Sequence, residues 1–120
     1  MSKRNVSHVE IPSRNVDESG KFYRALFDWK ITPIPEANYT VWDSGEGSRG
    51  GFTPLDKDVQ AGDVLIYIDS EDIETDLKKA RSLGAQVLQE KTEIPGRGWY
   101  GVFKDPTGNK IGLFKRESST

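Results

Sequence analysis

No cysteine occurs among the 120 residues. Disulfides, thiolate metal sites and a cysteine nucleophile are therefore excluded, and the lack of disulfides fits the cytosol. Histidine occurs once, as His8. A basic surplus is also missing: 17 Lys and Arg stand against 19 Asp and Glu, for a net charge of -2. A general nucleic-acid binder or a charged membrane-surface binder would normally carry the opposite balance. Long apolar runs are absent too. The start, Met1-Ser-Lys-Arg-Asn-Val-Ser-His8, has no apolar stretch of the kind a signal peptide needs. Nothing in the chain approaches the ~20 apolar residues of a membrane span. The expectation is a soluble, cytoplasmic protein of one domain, spanning 1–120.

What the sequence does contain is written twice. His8-Val-Glu-Ile-Pro-Ser-Arg-Asn-Val-Asp-Glu18 recurs 57 positions later as Leu65-Ile-Tyr-Ile-Asp-Ser-Glu-Asp-Ile-Glu-Thr75. At an offset of 61, Tyr39-Thr-Val-Trp-Asp43, Gly47 and Gly51-Phe52 match Tyr100-Gly-Val-Phe-Lys104, Gly108 and Gly112-Leu113. An internal period sets the architecture before any single motif is read. Either half alone would bury a marginal core, so the two are expected to share one folded unit.

Each copy opens as a strand and continues as a helix. Residues 5–11 read as a strand with Val9 and Ile11 on one face and His8 and Glu10 on the other. Asn15 is placed as a helix N-cap, with Glu18 three residues on, and Val16, Tyr23, Leu26 and Phe27 form a helical stripe over 16–27. Strands follow near 29–34, 39–43 and 49–53. A polar linker covers about 55–62. In the second copy Asp72 is the N-cap, Ile73, Leu77, Ala80 and Leu83 make the stripe, and Gly84 is the stop. Strands are expected near 85–90, 99–104 and 109–115, with Asp105-Pro-Thr-Gly-Asn109 as a turn. Module one thus spans about 5–54 and module two about 63–115, each in the order β-α-β-β-β, an α+β chain.

This pattern resembles the vicinal oxygen chelate superfamily, which includes glyoxalase I, bleomycin-resistance proteins and extradiol dioxygenases. The resemblance rests on His8-Val-Glu-Ile-Pro12, on Lys21-Phe-Tyr-Arg-Ala-Leu-Phe-Asp-Trp29, and on Phe103-Lys-Asp-Pro-Thr-Gly-Asn-Lys-Ile-Gly-Leu113. It implies two tandem βαβββ modules curled into a half-open barrel whose concave cup holds the site, and a homodimer. In metal-dependent members, side chains on the first and last strand of each module hold a divalent ion. Carried onto this chain, those positions are His8, Gly51, Leu65 and Gly112. Only His8 has a donor, whereas catalytic zinc sites use three protein ligands and iron oxygenases two histidines and a carboxylate. No cofactor is therefore expected, and a divalent metal is disfavoured.

Two candidate roles remain. His8 could serve as a general base, since an imidazole titrates near ~6.5, and Glu10 shares its strand face, so His8 and Glu10 are the catalytic candidates. The plainer account of His8 is a hydrogen-bonded group lining the cup. Aromatic side chains expected on strands lining it, Trp42, Tyr67, Tyr100 or Phe103, and Phe114, are the ligand-binding candidates. Arg97, in the loop Glu93–Trp99, is placed to meet an anionic group. The glycines of 45–51 and 96–98 lack the spacing of a phosphate loop and read as turns. The sequence thus points to a metal-free protein binding a small aromatic or amphipathic molecule. The alternative is a lyase, isomerase or dioxygenase of the same superfamily using His8 and Glu10.

Overall fold

The computed structural model describes residues 4–117, which fall into two compact units. One is Ser7–Leu65; the other comprises, among the described residues, 4–6 and 66–117.

The first unit contains β1 (Val6–Ser13), α1 (Val16–Phe27), β2 (Lys30–Ile34), β3 (Tyr39–Asp43) and β4 (Arg49–Pro54). Its strands lie in the order β2-β3-β4-β1, with β1 parallel to β4 and the other neighbours antiparallel. The α1 helix starts where expected because Asn15 is extended and its side chain accepts the Glu18 N–H at 3.1 Å. Asp17 and Glu18 complement the positive end of the helix. It stops at Asp28, whose left-handed backbone (φ 61°) lets its N–H reach the Arg24 carbonyl.

The residues of α1 turned toward the sheet are Val16, Ser19, Gly20 and Tyr23. A Cβ at Gly20 would stand 2.8 Å from Ile31 Cγ2, so the glycine sets how closely the helix approaches the sheet. The expected stripe is corrected here: Leu26 and Phe27 are 58 % and 54 % exposed. Beneath the helix lies an aromatic stack in which Trp42 meets Trp29 at 4.2 Å and Tyr23 spans Trp29 and Phe52. Offset rings at such distances add to the area they bury.

The second unit contains β5 (Leu65–Asp69), α2 (Ile73–Ser82), β6 (Gln86–Ile94), β7 (Gly98–Lys104) and β8 (Lys110–Arg116). The strand order is β5-β8-β7-β6, with β5 parallel to β8. Asp72 caps α2 by accepting the Thr75 N–H, and Gly84 follows the helix at φ 104°. Leu83 lies beyond the last helical residue and is 69 % exposed, so it leaves the stripe assigned to it. Ile73, Leu77 and Leu113 form the core, with Ile68, Val87, Trp99 and Phe103 packed against it. Gly101 makes room, since a Cβ there would come within 3.1 Å of both Ile73 and Leu77.

Arg4 and Asn5 belong to this second unit although they begin the described chain. The Asn5 carbonyl accepts the Asp69 N–H, while Arg4 pairs with Asp76 through its two terminal guanidinium nitrogens and Ser70 Oγ donates to the same carboxylate. Burial alone would raise the Asp76 pKa; the hydrogen bonds from Arg4 and Ser70 outweigh it and hold the carboxyl below its ordinary 3.8. At the far end, Asp105 accepts the N–H groups of Thr107, Gly108 and Asn109, which fixes the expected turn.

Residues 55–64 form neither helix nor strand. Each unit is a β-α-β-β-β module with its helix on one sheet face, so the chain has the α+β fold the repeat implied. Among the described residues no helix is long and apolar enough to cross a membrane.

Candidate ligand site on the helix-free sheet faces

A strand turns successive side chains to opposite faces, so the residues packed under the helices identify those that are not. In the first module Val9, Gly50 and Trp42 share one register row, and Ile11, Phe52 and Thr40 another, both on the α1 side. His8, Glu10, Gly51, Tyr39 and Val41 therefore occupy the opposite, helix-free face. Glu10 pairs in register with Gly51. In the second module the equivalent pair is Tyr67 with Gly112. The duplication has copied the register as well as the sequence.

Both glycines are covered by tyrosine. A Cβ at Gly51 would collide with the Tyr39 hydroxyl and lie 2.7 Å from its Cε1. At Gly112 a Cβ would collide with the Tyr67 ring, lying 2.9 Å from its Cγ. Real Cβ atoms do not come so close, so either ring requires the glycine beneath it. The covering residue differs between the modules: it comes from β3 in the first and from β5 in the second.

Tyr39 also links the two catalytic candidates. Its hydroxyl donates to the Glu10 carboxylate, 2.9 Å from each oxygen. With its one proton committed there, the phenol oxygen accepts from His8 Nε2–H at 2.9 Å. His8 Nε2 and Glu10 Oε2 are themselves 3.3 Å apart. The His8 and Glu10 side chains are 29 % and 18 % exposed, half-sheltered rather than buried. Tyr39 was not a sequence candidate. Its signal was its match to Tyr100 in the second copy, together with the bare glycine at position 51 on the strand beside Glu10.

These residues do not fit a divalent metal of the family type. Gly51, Leu65 and Gly112 carry no donor, and Tyr39 fills the space a side chain at 51 would use. His8 Nε2 is engaged by the Tyr39 hydroxyl at 2.9 Å and lies 3.3 Å from Glu10 Oε2. Among the described residues no three His, Asp or Glu side chains gather in a metal-holding group.

The other candidates separate by strand parity. Tyr67, Tyr100 and Phe114 lie on the helix-free face of the second module, with Tyr100 and Phe114 directly paired across β7 and β8. Trp42 does not line that kind of face: it is 4 % exposed within the stack under α1. Phe103 is its counterpart at the offset of 61 and packs against the α2 core. Both assignments are corrected for one reason, since Trp42 and Phe103 lie three residues after Tyr39 and Tyr100, an odd step that changes face. Arg97 is exposed, in a three-residue turn between Ile94 and Gly98. The loop expected over 93–99 is mostly strand, which leaves no length to fold over a site.

Comparison with known proteins agrees with this architecture. The sequence profile of the glyoxalase-like domain family matches residues 8–114. An uncharacterized protein of Mycolicibacterium smegmatis is 28 % identical over 112 residues, which cover 92 % of this chain and 93 % of that protein. Methylmalonyl-CoA epimerase from Mycobacterium tuberculosis superimposes with a TM-score of 0.73 at 14 % identity, covering 98 % of this chain and 93 % of that one. A glyoxalase/bleomycin resistance protein/dioxygenase superfamily member from Vibrio splendidus 12B01 gives 0.68 at 11 % identity, over 94 % and 99 % of the two chains. At such identities the structural likeness speaks for the fold alone. Taken with the profile match across both modules, it places this chain in the glyoxalase-like domain family, within the vicinal oxygen chelate superfamily.

Proposed function

We propose that this protein works without a metal and binds a small aromatic or amphipathic molecule on the helix-free face of its sheet. The observation that carries this reading is the tyrosine ring over glycine in both modules. Where the family pattern would put a charged metal ligand, each module has an aromatic surface instead. Ligand sites are mostly apolar and aromatic, with a few polar groups that fix orientation. On the second module Tyr67, Tyr100 and Phe114 provide such an aromatic surface; on the first, the Tyr39 ring and Val41 lie beside the polar groups of His8 and Glu10.

The three tryptophans are poor reporters of such binding, because Trp29 and Trp42 stack under α1 and Trp99 packs toward α2. A neutral fluorescent probe, N-phenylnaphthylamine, is the better test. Saturable enhancement of its emission by the protein, weakened in Gly112→Val where the new side chain displaces Tyr67, is the expected result. No enhancement by the folded wild-type protein would overturn the reading.

A second reading, an enzyme of the superfamily, draws support from the hydrogen-bonded row of His8, Tyr39 and Glu10, which is suited to taking up and passing a proton. Such an enzyme would exchange a carbon-bound hydrogen of its substrate with solvent deuterium. Loss of that exchange in Glu10→Gln would assign the base. We also propose that the chain self-associates as a homodimer, a reading supported by the exposed Phe22, Leu26 and Phe27 of α1. Light scattering should then return twice the 13.5 kDa chain mass, and a mass of one chain would contradict it.

A further inference from the structure

Glu10 differs from the other carboxylates of its sheet face in what surrounds it. Asp43 stands in register between Lys30 and Arg49, two cations on neighbouring strands. The corresponding row through Glu10 reads Gly51, Val41 and Thr32, with no charge in it. Among the described residues its one ion-pair partner is His8, at 3.3 Å, and no lysine or arginine reaches it. Yet its side chain is only 18 % exposed. A carboxylate half-sheltered from water gains from a cationic partner, since desolvation penalises an unpaired charge.

Glu10 is also held in place. The Tyr39 hydroxyl bridges both carboxylate oxygens, and the Gly51 position is bare so that the ring can stand there. Each carboxylate oxygen keeps a further lone pair for another donor. The Tyr39 ring and Val41 supply apolar surface on the same face. The group is thus oriented and half-desolvated, with its charge unmatched by any lysine or arginine.

Resting on the binding reading above, we propose that the ligand carries a protonated amine or similar cationic hydrogen-bond donor, which pairs with Glu10. A charge-assisted bond to an oriented carboxylate is worth about 1.5–3 kcal/mol, at least tenfold in affinity. The apolar body of the ligand lies beside the charged group, against Tyr39 and Val41.

Three naphthalene probes of one size separate the outcomes: naphthylmethylammonium, naphthylmethanol and naphthylacetate. Calorimetric titration of the full chain should give the ammonium probe the tightest binding, about tenfold or more over the alcohol, with the acetate weakest. In Glu10→Gln, which keeps the size and accepts the Tyr39 hydrogen bond, the ammonium-to-alcohol ratio should fall to near one. Equal binding of ammonium and alcohol by the wild-type protein would overturn the cationic assignment and leave the aromatic-binding reading standing. Preference for the acetate would overturn it as well. No binding of any of the three would overturn both. The wild-type comparison stands even if the variant does not fold.

Discussion

Gly51 and Tyr39 specify one another. The ring stands where a side chain at 51 would begin, so a methyl there forces the phenol out and breaks its hydrogen bonds with His8 and Glu10. Overpacking of this kind typically costs about 1–3 kcal/mol. Gly51→Ala should destabilise by that amount in urea denaturation, and by clearly less when Tyr39 is already alanine. The two costs adding independently would contradict the contact, because touching residues couple and distant ones do not. Asp76 gives a prediction with a pH sign. Its folded pKa is lowered: burial opposes the shift, but the bonds from Arg4 and Ser70 prevail. A group with a depressed folded pKa adds stability above its unfolded value and loses it as pH falls through the folded one. The contribution should be whole above the ordinary aspartate range near 3.8 and fade below it. Asp76→Asn should flatten the loss of stability between about pH 5 and pH 2, and an unchanged slope would contradict the assignment.

The elements were largely legible because their signals are local. Asn15 and Asp72 cap where capping chemistry demands, and α1 and β3 take the limits their periodicity implied. The errors have physical causes too. Leu26 and Phe27 are apolar and helical but more than half exposed, Phe27 covering only the rim of the aromatic stack at Trp29, whereas Gly20, carrying no hydrophobic signal, is buried since it permits close approach. β6 runs on to Ile94 through irregular pairing that no periodicity announces. Trp42 and Phe103 were assigned to a ligand face on their aromatic character; the two-residue period, counted from Glu10, Gly51 and their repeats, puts them on the helix side. The element α2 offers the plainest stability test. Leu77 is 1 % exposed and seats α2 against Gly101. Leu77→Ala should cost about 2–5 kcal/mol in denaturant titration. A loss of about 0.5 kcal/mol or less, the size expected at an exposed site, would show the helix is seated elsewhere.

Across the whole molecule the duplication carries the account. Offsets of 57 and 61 bring Glu10–Gly51 and Tyr67–Gly112 into equivalent register pairs, and two of the four places where the resemblance implies a metal ligand, Gly51 and Gly112, lie in those pairs. What fills those places was not legible. Tyr39 arrives from β3 and Tyr67 from β5, and that difference depends on side-chain packing which no alignment of the halves contains. His8, the one donor among those places, is one end of a hydrogen-bonded row through Tyr39 to Glu10. The central proposal is that the chain works without a metal, with a tyrosine ring over a glycine in each module. Elemental metal analysis of the chain, purified without chelator and passed through gel filtration, tests it most directly. The account predicts far less than one divalent ion per chain; one ion per chain, lost in His8→Ala, would contradict it.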